Sequence, residues 1–504
     1  MSPRVTIRLR PLGATFEVRR GDPLQDVLFA HGVEFPCGGK GKCKGCRVRI
    51  LEGTLPVTPE QEQMLSAEDL HTGWRLACQC FAEEDLTLEM AQWEASILGD
   101  ETPFSFQPRH GLGVAVDVGT TTLVAQLLDL SSGDVLAVRT ALNHQARHGA
   151  DIMSRIGFAV SNREPGRLTG LIRVQLGRMI EDLLVAAGKQ GCSVEDCVLV
   201  GNTIMHHLFC GLDVRPLSHF PFSSETLGAC TFAAEILGWN PGIHGIRFLP
   251  CIGSFVGSDI LAGVYARGIG RTDNLVGLID LGTNGEIVFG HRGKAICAST
   301  AAGPAFEGAR ISMGMRAATG AISEVHPKDG TIACHVLGNV TPRGICGSGL
   351  VDAVATGLNL ALIQPGGRLS DGGSSLMLKP PVRISQTDIR ELQLAKGAIA
   401  AGIRIILQEF GAGTGDVGEV VLAGAFGNYV DIASARRIGL LPFPEGKVVP
   451  AGNTALLGAK MALFCEPGEW ETASTRIHHL SLSERPGFQE MYVENMTFPK
   501  IESV

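Results

Sequence analysis

No run of about 18 uncharged apolar residues occurs in this chain of 504 residues, so a membrane-spanning helix is not expected. The opening Met1-Ser2-Pro3-Arg4-Val5 lacks the apolar core of a secretion signal. Basic residues are not in excess: 43 Lys and Arg stand against 51 Asp and Glu, and a net charge of -8 gives no support for nucleic-acid binding. No Gly-x4-Gly-Lys-Ser/Thr is present, which removes the P-loop class. What is present is ordinary for a globular protein, 45% hydrophobic and 19% charged, in a chain long enough for two or more domains. Of the 14 cysteines, ten are scattered singly in apolar contexts such as Cys197-Val198-Leu199. They read as buried small hydrophobes in a reducing cytoplasm.

The other four cysteines form a pattern. Cys37, Cys43 and Cys46 are spaced Cys-x5-Cys-x2-Cys in a loop rich in Gly and Lys, and Cys78 follows in Arg75-Leu76-Ala77-Cys78. Three clustered thiolates and one distant one is the ligand pattern of a [2Fe–2S] cluster. Glycines let such a loop turn sharply and bring N–H groups near the sulfides. A zinc site would call for a second Cys-x2-Cys or Cys/His pair, which the segment lacks. Cys80 is the alternative fourth ligand, on the same face as Cys78 if Trp74–Cys80 is a strand. Lys40, Lys42, Lys44, Arg47 and Arg49 make the loop basic, either as support for an anionic cluster or as a docking patch for an acidic electron donor.

Around this loop, alternation over residues 5–10 and 15–18 predicts a hairpin, and Pro23–His31 a short helix closed by Gly32. Thr58-Pro59-Glu60-Gln61 reads as a helix start, with an N-cap, Pro at N1 and Gln at N3. Strands are expected at Cys46–Leu51, Trp74–Cys80 and Leu86–Met90. This segment, residues 1–92, resembles the β-grasp [2Fe–2S] ferredoxins, with one extra residue in the first gap. Residues 93–110, with Pro103 and Pro108, read as a linker.

From residue 111 the pattern changes. Val114-Ala115-Val116-Asp117-Val118-Gly119-Thr120-Thr121 is a buried strand, a carboxylate and a tight turn, and the figure recurs at Leu278-Ile279-Asp280-Leu281-Gly282-Thr283-Asn284-Gly285-Glu286. Cys197-Val198-Leu199-Val200-Gly201-Asn202 and Val420-Val421-Leu422-Ala423-Gly424-Ala425-Phe426-Gly427-Asn428 also rhyme, each before an expected helix. This is an internal duplication, with halves of about 111–270 and 271–504. Gly and Thr at a hairpin tip offer N–H and hydroxyl donors to phosphate oxygens, and an Asp at a strand end can hold a hydrated Mg²⁺. Small residues at Ala298–Gly308, before an expected helix, permit close backbone approach, and Gly344–Leu350 is similar. Gly413-x-Gly415-x-x-Gly418 precedes a strand instead of following one, so it reads as a loop and not as a dinucleotide fingerprint. A long helix is expected over Gln386–Phe410. His206-His207, His478-His479 and His144-x3-His148 read as structural.

The repeated hairpins resemble the actin–hexokinase–heat-shock ATPase superfamily, whose RNase H-like halves present two hairpins to ATP phosphates and a later glycine turn to adenosine. The resemblance implies a first phosphate hairpin of Asp117, Gly119, Thr120 and Thr121, a second of Asp280, Gly282, Thr283 and Asn284, and an adenosine turn of Gly424, Ala425 and Phe426. Glu286 or Asp259 would then serve the attacking water or the metal.

The whole arrangement is α/β and α+β multidomain: a β-grasp ferredoxin domain, then a duplicated actin-like ATPase. It resembles the ATP-dependent reductive activators of corrinoid proteins over nearly its full length, through Asp280–Glu286, Ala301–Gly308, Leu422–Tyr429 and Phe488–Pro499. The resemblance implies a homodimer that binds ATP and Mg²⁺, takes electrons from a donor protein or reductase, and returns Co(II) cobalamin on a corrinoid protein to Co(I). Some members carry an extra domain between ferredoxin and ATPase; here only residues 93–110 intervene. The alternatives are a redox-sensing regulator switched by ATP, an activator of a radical dehydratase, and a small-molecule kinase. The ferredoxin-like segment argues against the dehydratase activator.

Overall fold

The computed structural model describes residues 3–10, 14–30, 41, 46–90, 104, 106–149, 151–161, 166–282, 284–308, 310–315, 317, 320–427 and 429–500. None of the helices among them is long and apolar enough to cross a membrane.

The N-terminal sheet has five strands in the order Ala14–Arg19, Arg4–Arg10, Leu86–Met90, Arg47–Glu52, Trp74–Leu76. Val5, Ile7 and Leu9 alternate inward, Ile7 opposite Phe16 and Leu9 opposite Leu88. They pack on Leu24 and Leu28 of the Leu24–Ala30 helix and on Val48, Leu76 and Leu86. Each such burial contributes about 1.5–3 kcal/mol. The Gly32 stop signal lies outside the described residues.

Two sequence expectations change here. Thr58 does cap the Pro59–Met64 helix, accepting from Gln61 N at 3.3 Å. Gln61 closes no capping box, however; its side chain turns inward, where Oε1 accepts from Leu76 N at 3.0 Å. The strand expected over Trp74–Cys80 ends at Leu76. Ala77–Gln79 form a 3-10 turn instead, in which Ala77 N donates to Cys46 O at 3.0 Å and Cys80 N to Ala77 O at 3.2 Å. Leaving the ladder for that turn breaks the two-residue alternation, so Cys78 and Cys80 do not share a strand face.

The chain packs as two compact units: the described residues of 1–35, 43–268 and 453–479 form one, and those of 269–452 and 480–500 belong to the other. In the first, a six-stranded sheet runs Val135–Leu142, Thr122–Asp129, Leu112–Val118, Val194–Gly201, Ile246–Phe248, Cys230–Phe232. Val114, Ala115, Val116 and Val118 are all buried. That continuous apolar run is what a strand covered on both faces needs. The Arg167–Ala186 helix packs with Leu168, Ile172, Leu176, Met179, Ile180 and Leu183 inward, the three-and-four spacing of an amphipathic helix. Phe106, at the described end of the linker, packs on Phe464 with ring centroids 4.5 Å apart.

In the second unit the strands Val448–Pro450, Glu419–Ala423, Val276–Leu281, Gly285–His291 and Lys294–Thr300 adjoin in that order. The Gln386–Glu409 helix, started by a Ser385–Asp388 capping box, packs on the last two. No helix directly follows the small-residue run Ala298–Gly308 among the described residues; the run itself holds a 3-10 turn, Pro304–Glu307. The Gly347–Asn359 helix follows Cys346, and Gly413–Gly418 is a turn leading into a strand.

The two units repeat one plan. In each, the hairpin strand bearing the aspartate pairs in parallel with a later strand, Asp117 opposite Val200 and Asp280 opposite Ala423. The first unit is completed late in the chain, by the Thr454–Ala462 helix packing on Ser258–Ala266. Gly458 makes that contact: a Cβ there would sit 2.3 Å from the Ala262 carbonyl oxygen. Gly458→Ala should therefore cost about 1–3 kcal/mol through forced separation of the two helices. A lowered urea midpoint reads this out, and Gly468→Ala, whose Cβ would meet nothing within 4 Å, should leave the midpoint unchanged or higher.

Candidate functional site

Cys46 and Cys78 come together from opposite sides of the Arg47–Glu52 and Trp74–Leu76 pairing. Arg47 stands opposite Leu76, so the residues just outside that pair converge. Both thiols are buried, with the sulfurs 3.4 Å apart. That is too long for a disulfide. Two thiolates sharing one tetrahedral ion at about 2.3 Å each lie about 3.8 Å apart, so the pair fits joint metal ligation. Cys37 and Cys43 lie outside the described residues. Cys80, also buried, points elsewhere: its thiol donates to Leu76 O at 3.3 Å. Burial and the neighbouring Cys78 push the Cys80 thiol up to about 12, so it stays protonated.

Gln61 is the residue here that sequence reasoning missed. It is fully buried, and it holds the Leu76 N–H just before the turn that carries Cys78. Of the basic residues near the loop, Arg47 lies over the Trp74 ring at 5.2 Å and Arg49 pairs with Glu89 at 3.6 Å. Their charges are partly spent within the sheet. Lys40, Lys42 and Lys44 lie outside the described residues.

The first Asp hairpin is held by residues far away in sequence. Asp117 Oδ2 accepts from Asn453 Nδ2 at 2.8 Å. The residue keeps some exposed surface, but its carboxylate is largely dry; burial pushes it up to about 6, and the Asn453 hydrogen bond pulls it partway back. Gly119 is required by close approach, since a Cβ would fall 2.3 Å from Thr122 O. Thr120 Oγ1 accepts from Asn202 Nδ2 at 2.9 Å, and the Thr120 carbonyl accepts from Arg155 at 2.5 Å. Asn143 ties both sides of the tip, donating from Nδ2 to Gly119 O at 3.0 Å and from its backbone N–H to Thr121 O at 2.8 Å. The Thr121 side chain is exposed. Arg155 is buried, which pulls its guanidinium down to about 10. It remains cationic at neutral pH, beneath a loop that offers donors to an anion. Asp259 opens the Ser258–Ala266 helix, its carboxylate accepting from Ile260 N at 2.8 Å.

In the second hairpin, Gly282 N donates to Asn284 O at 3.0 Å, while Thr283 lies outside the described residues. Asp280 is approached closely by Gly424: at φ +81° a Cβ on Gly424 would lie 2.2 Å from Asp280 Oδ1. Glu286 stands opposite Asp280 across the strand pair and accepts from Ser299 Oγ at 3.4 Å. Phe426 is buried, its ring 4.8 Å from Phe306, so the Gly424–Gly427 turn keeps its aromatic in the core and presents backbone.

Three family models tile the chain: a 2Fe-2S iron-sulfur cluster binding domain over residues 7–83, the RACo middle region over 112–272, and the C-terminal ASKHA domain of RACo over 274–503. The corrinoid activation enzyme RamQ of Eubacterium limosum is 36% identical, over 96% of this chain and 97% of its own. The chain belongs to the family of reductive activators of corrinoid proteins. A second relative of this activator, the [Co(II) methylated amine-specific corrinoid protein] reductase of Methanosarcina barkeri, is 29% identical over 69% of each chain. A solved structure, a reductive activator for corrinoid, iron-sulfur protein, matches 98% of both chains with a TM-score of 0.67 at 26% identity.

Two outcomes follow for the activator. Gln61→Leu leaves the Leu76 N–H buried without a partner, a cost of about 1–3 kcal/mol. It should speed loss of the visible absorption of the iron-loaded protein in a chelator, relative to an exposed control such as Glu62→Ala. Asp117→Asn should stabilise the nucleotide-free protein at pH 7. With a folded-state pKa of about 6 against 3.8 for the free side chain, stability falls as pH rises from about 4 through 6 and is flat above. The variant lacks that fall, so the difference in melting temperature should be present at pH 7 and vanish below about pH 4.

Proposed function

We propose that this activator reduces Co(II) cobalamin on a corrinoid protein to Co(I), one electron at a time, with ATP binding and hydrolysis supporting the transfer. The observation that carries the reading is the buried thiol pair Cys46–Cys78 in one chain with a duplicated aspartate hairpin, in a family whose relatives are named for this reaction. The cluster held by Cys37, Cys43, Cys46 and Cys78 supplies, when bound, a one-electron couple of low potential, about -400 mV for plant-type centres. Cys46 and Cys78 serve it by keeping two thiolates in a dry core, and Gln61 by fixing the turn beneath them.

The hairpins handle the nucleotide. Asp117 holds Mg²⁺ as a carboxylate, a role that opposes its raised pKa, so metal and proton compete for it. The backbone of Gly119–Thr121 and the Thr121 hydroxyl meet phosphate oxygens, with the Arg155 cation behind them. Asp280, Gly282, Thr283 and Asn284 do the same in the second unit, Glu286 orients the attacking water, and the Gly424–Phe426 backbone meets adenosine. ATP assists because it favours one conformation, and only a difference in affinity between conformations can shift that equilibrium. The activator works as a homodimer and draws electrons from a donor protein. The twelve cysteines among the described residues are all free thiols, which suits a reducing compartment.

The test follows Co(I) formation optically on a Co(II) corrinoid protein, with a chemical reductant, with and without ATP. Asp280→Ala should lose the ATP-dependent part of the rate, at least about tenfold, while the visible spectrum of the iron-loaded protein is unchanged. Equal rates for the wild type with ATP, without ATP and for the variant would remove ATP from the reaction.

A further inference from the structure

The first unit holds a group of metal-ligating side chains that the activator's reaction does not use. His206 and Cys210 are one turn apart on the Thr203–Cys210 helix and so share a face. Cys230 begins the edge strand Cys230–Phe232. One ligand atom from each of the three lies within 4.8 Å of the other two. The sequence signal is the i, i+4 spacing of His206 and Cys210, which a reading of His206-His207 as structural passes over; Cys230 is visible only once the sheet is formed.

We propose that His206, Cys210 and Cys230 form a zinc site, separate from the iron-sulfur ligands. Three observations carry this. The His206 ring is fully buried, yet its Nε2 makes no hydrogen bond, a rare and costly state for a polar atom in a core. The ring is fixed edge-on to Phe248 at 5.0 Å, so it is aimed without being satisfied. Cys210 and Cys230 are only half-buried, which leaves a route for an ion to enter.

Two thiolates and an imidazole suit a borderline-soft divalent ion and disfavour Mg²⁺ or Ca²⁺. Ligand atoms on one tetrahedral zinc lie about 3.3–3.8 Å apart, and these three already lie within 4.8 Å of one another. The site has three protein ligands and an open fourth position for water. Zinc there would tie the C-terminal end of the Thr203–Cys210 helix to the edge of the sheet. The N-cap of that helix is Asn202, the residue that donates to Thr120 in the first hairpin. Zinc thus stiffens the support of that hairpin.

The experiment uses full-length protein, purified anaerobically with two irons per chain, stripped with EDTA and then given zinc chloride. One zinc per chain should be retained after desalting, and zinc-edge X-ray absorption should show two sulfurs at about 2.3 Å with nitrogen or oxygen at about 2.0–2.1 Å. Cys210→Ser and Cys230→Ser should each weaken retention at least about tenfold in a competition with a chromogenic chelator, with iron content and circular dichroism unchanged. His206→Gln should do likewise; where it fails to fold, the two half-buried cysteine variants decide. Failure to take up zinc, uptake indifferent to both cysteine variants, a four-sulfur shell marking metal in an emptied iron site, or a Cys210–Cys230 disulfide in the reduced protein would each overturn the assignment. None of these readouts involves cobalt reduction, so they stand apart from the proposed function.

Discussion

A carboxylate at the end of a buried strand is the constraint around which the first unit of this activator is arranged. Asp117 follows the buried residues Leu112–Val116, and burial raises its pKa to about 6. A side chain in that position lowers the stability of the empty protein at neutral pH, because the folded state must hold a charge it would rather neutralise. The single amide of Asn453 offsets only part of this. A divalent cation would relieve the rest. Arg155, a cation beneath the same loop, is instead aimed at the Thr120 carbonyl and supports the loop.

The same logic runs through the N-terminal domain. Its core is small, and two of its buried positions are given to cysteine thiols in contact with each other instead of to larger apolar groups. Cys80, also in that core, behaves differently, for it stays protonated and bonds a carbonyl. The difference between Cys78 and Cys80, two residues apart, comes from one 3-10 turn. That turn is held by a glutamine from another helix. Where the chain leaves the ladder therefore decides which sulfur faces Cys46.

The elements legible in the sequence were those whose signal is local. The cysteine spacing, the two Asp-Gly-Thr turns, the Thr58 cap and the long helix from Gln386 are patterns within a few residues. The supports of the site are not. Asn453 reaches Asp117 across 336 residues, Asn202 reaches Thr120 across 82, and Arg155 reaches it across 35. An asparagine before a helix reads as a cap, which Asn202 and Asn453 both are, and nothing in that reading says its amide nitrogen is used elsewhere. The expected strand through Cys80 failed for a related reason: alternation in a short segment does not encode where a partner strand ends.

The two hairpins share a register but not a mechanical setting. In the first unit, the strand opposite Asp117 ends at Gly201, whose N–H is held by Ser258 Oγ at 3.1 Å, and leads into a helix of eight residues capped by Asn202. In the second, the strand opposite Asp280 ends at Ala423, and the helix that follows is a single turn, Gly424–Gly427, opened by Gly424 at positive φ. A capped helix of eight residues carries several internal backbone hydrogen bonds, whereas a single turn carries few. The duplication has left one aspartate hairpin beside an eight-residue capped helix and the other beside a single glycine-led turn. At Asp280 that turn lies directly against the carboxylate, and glycine is the one residue there that leaves room for it.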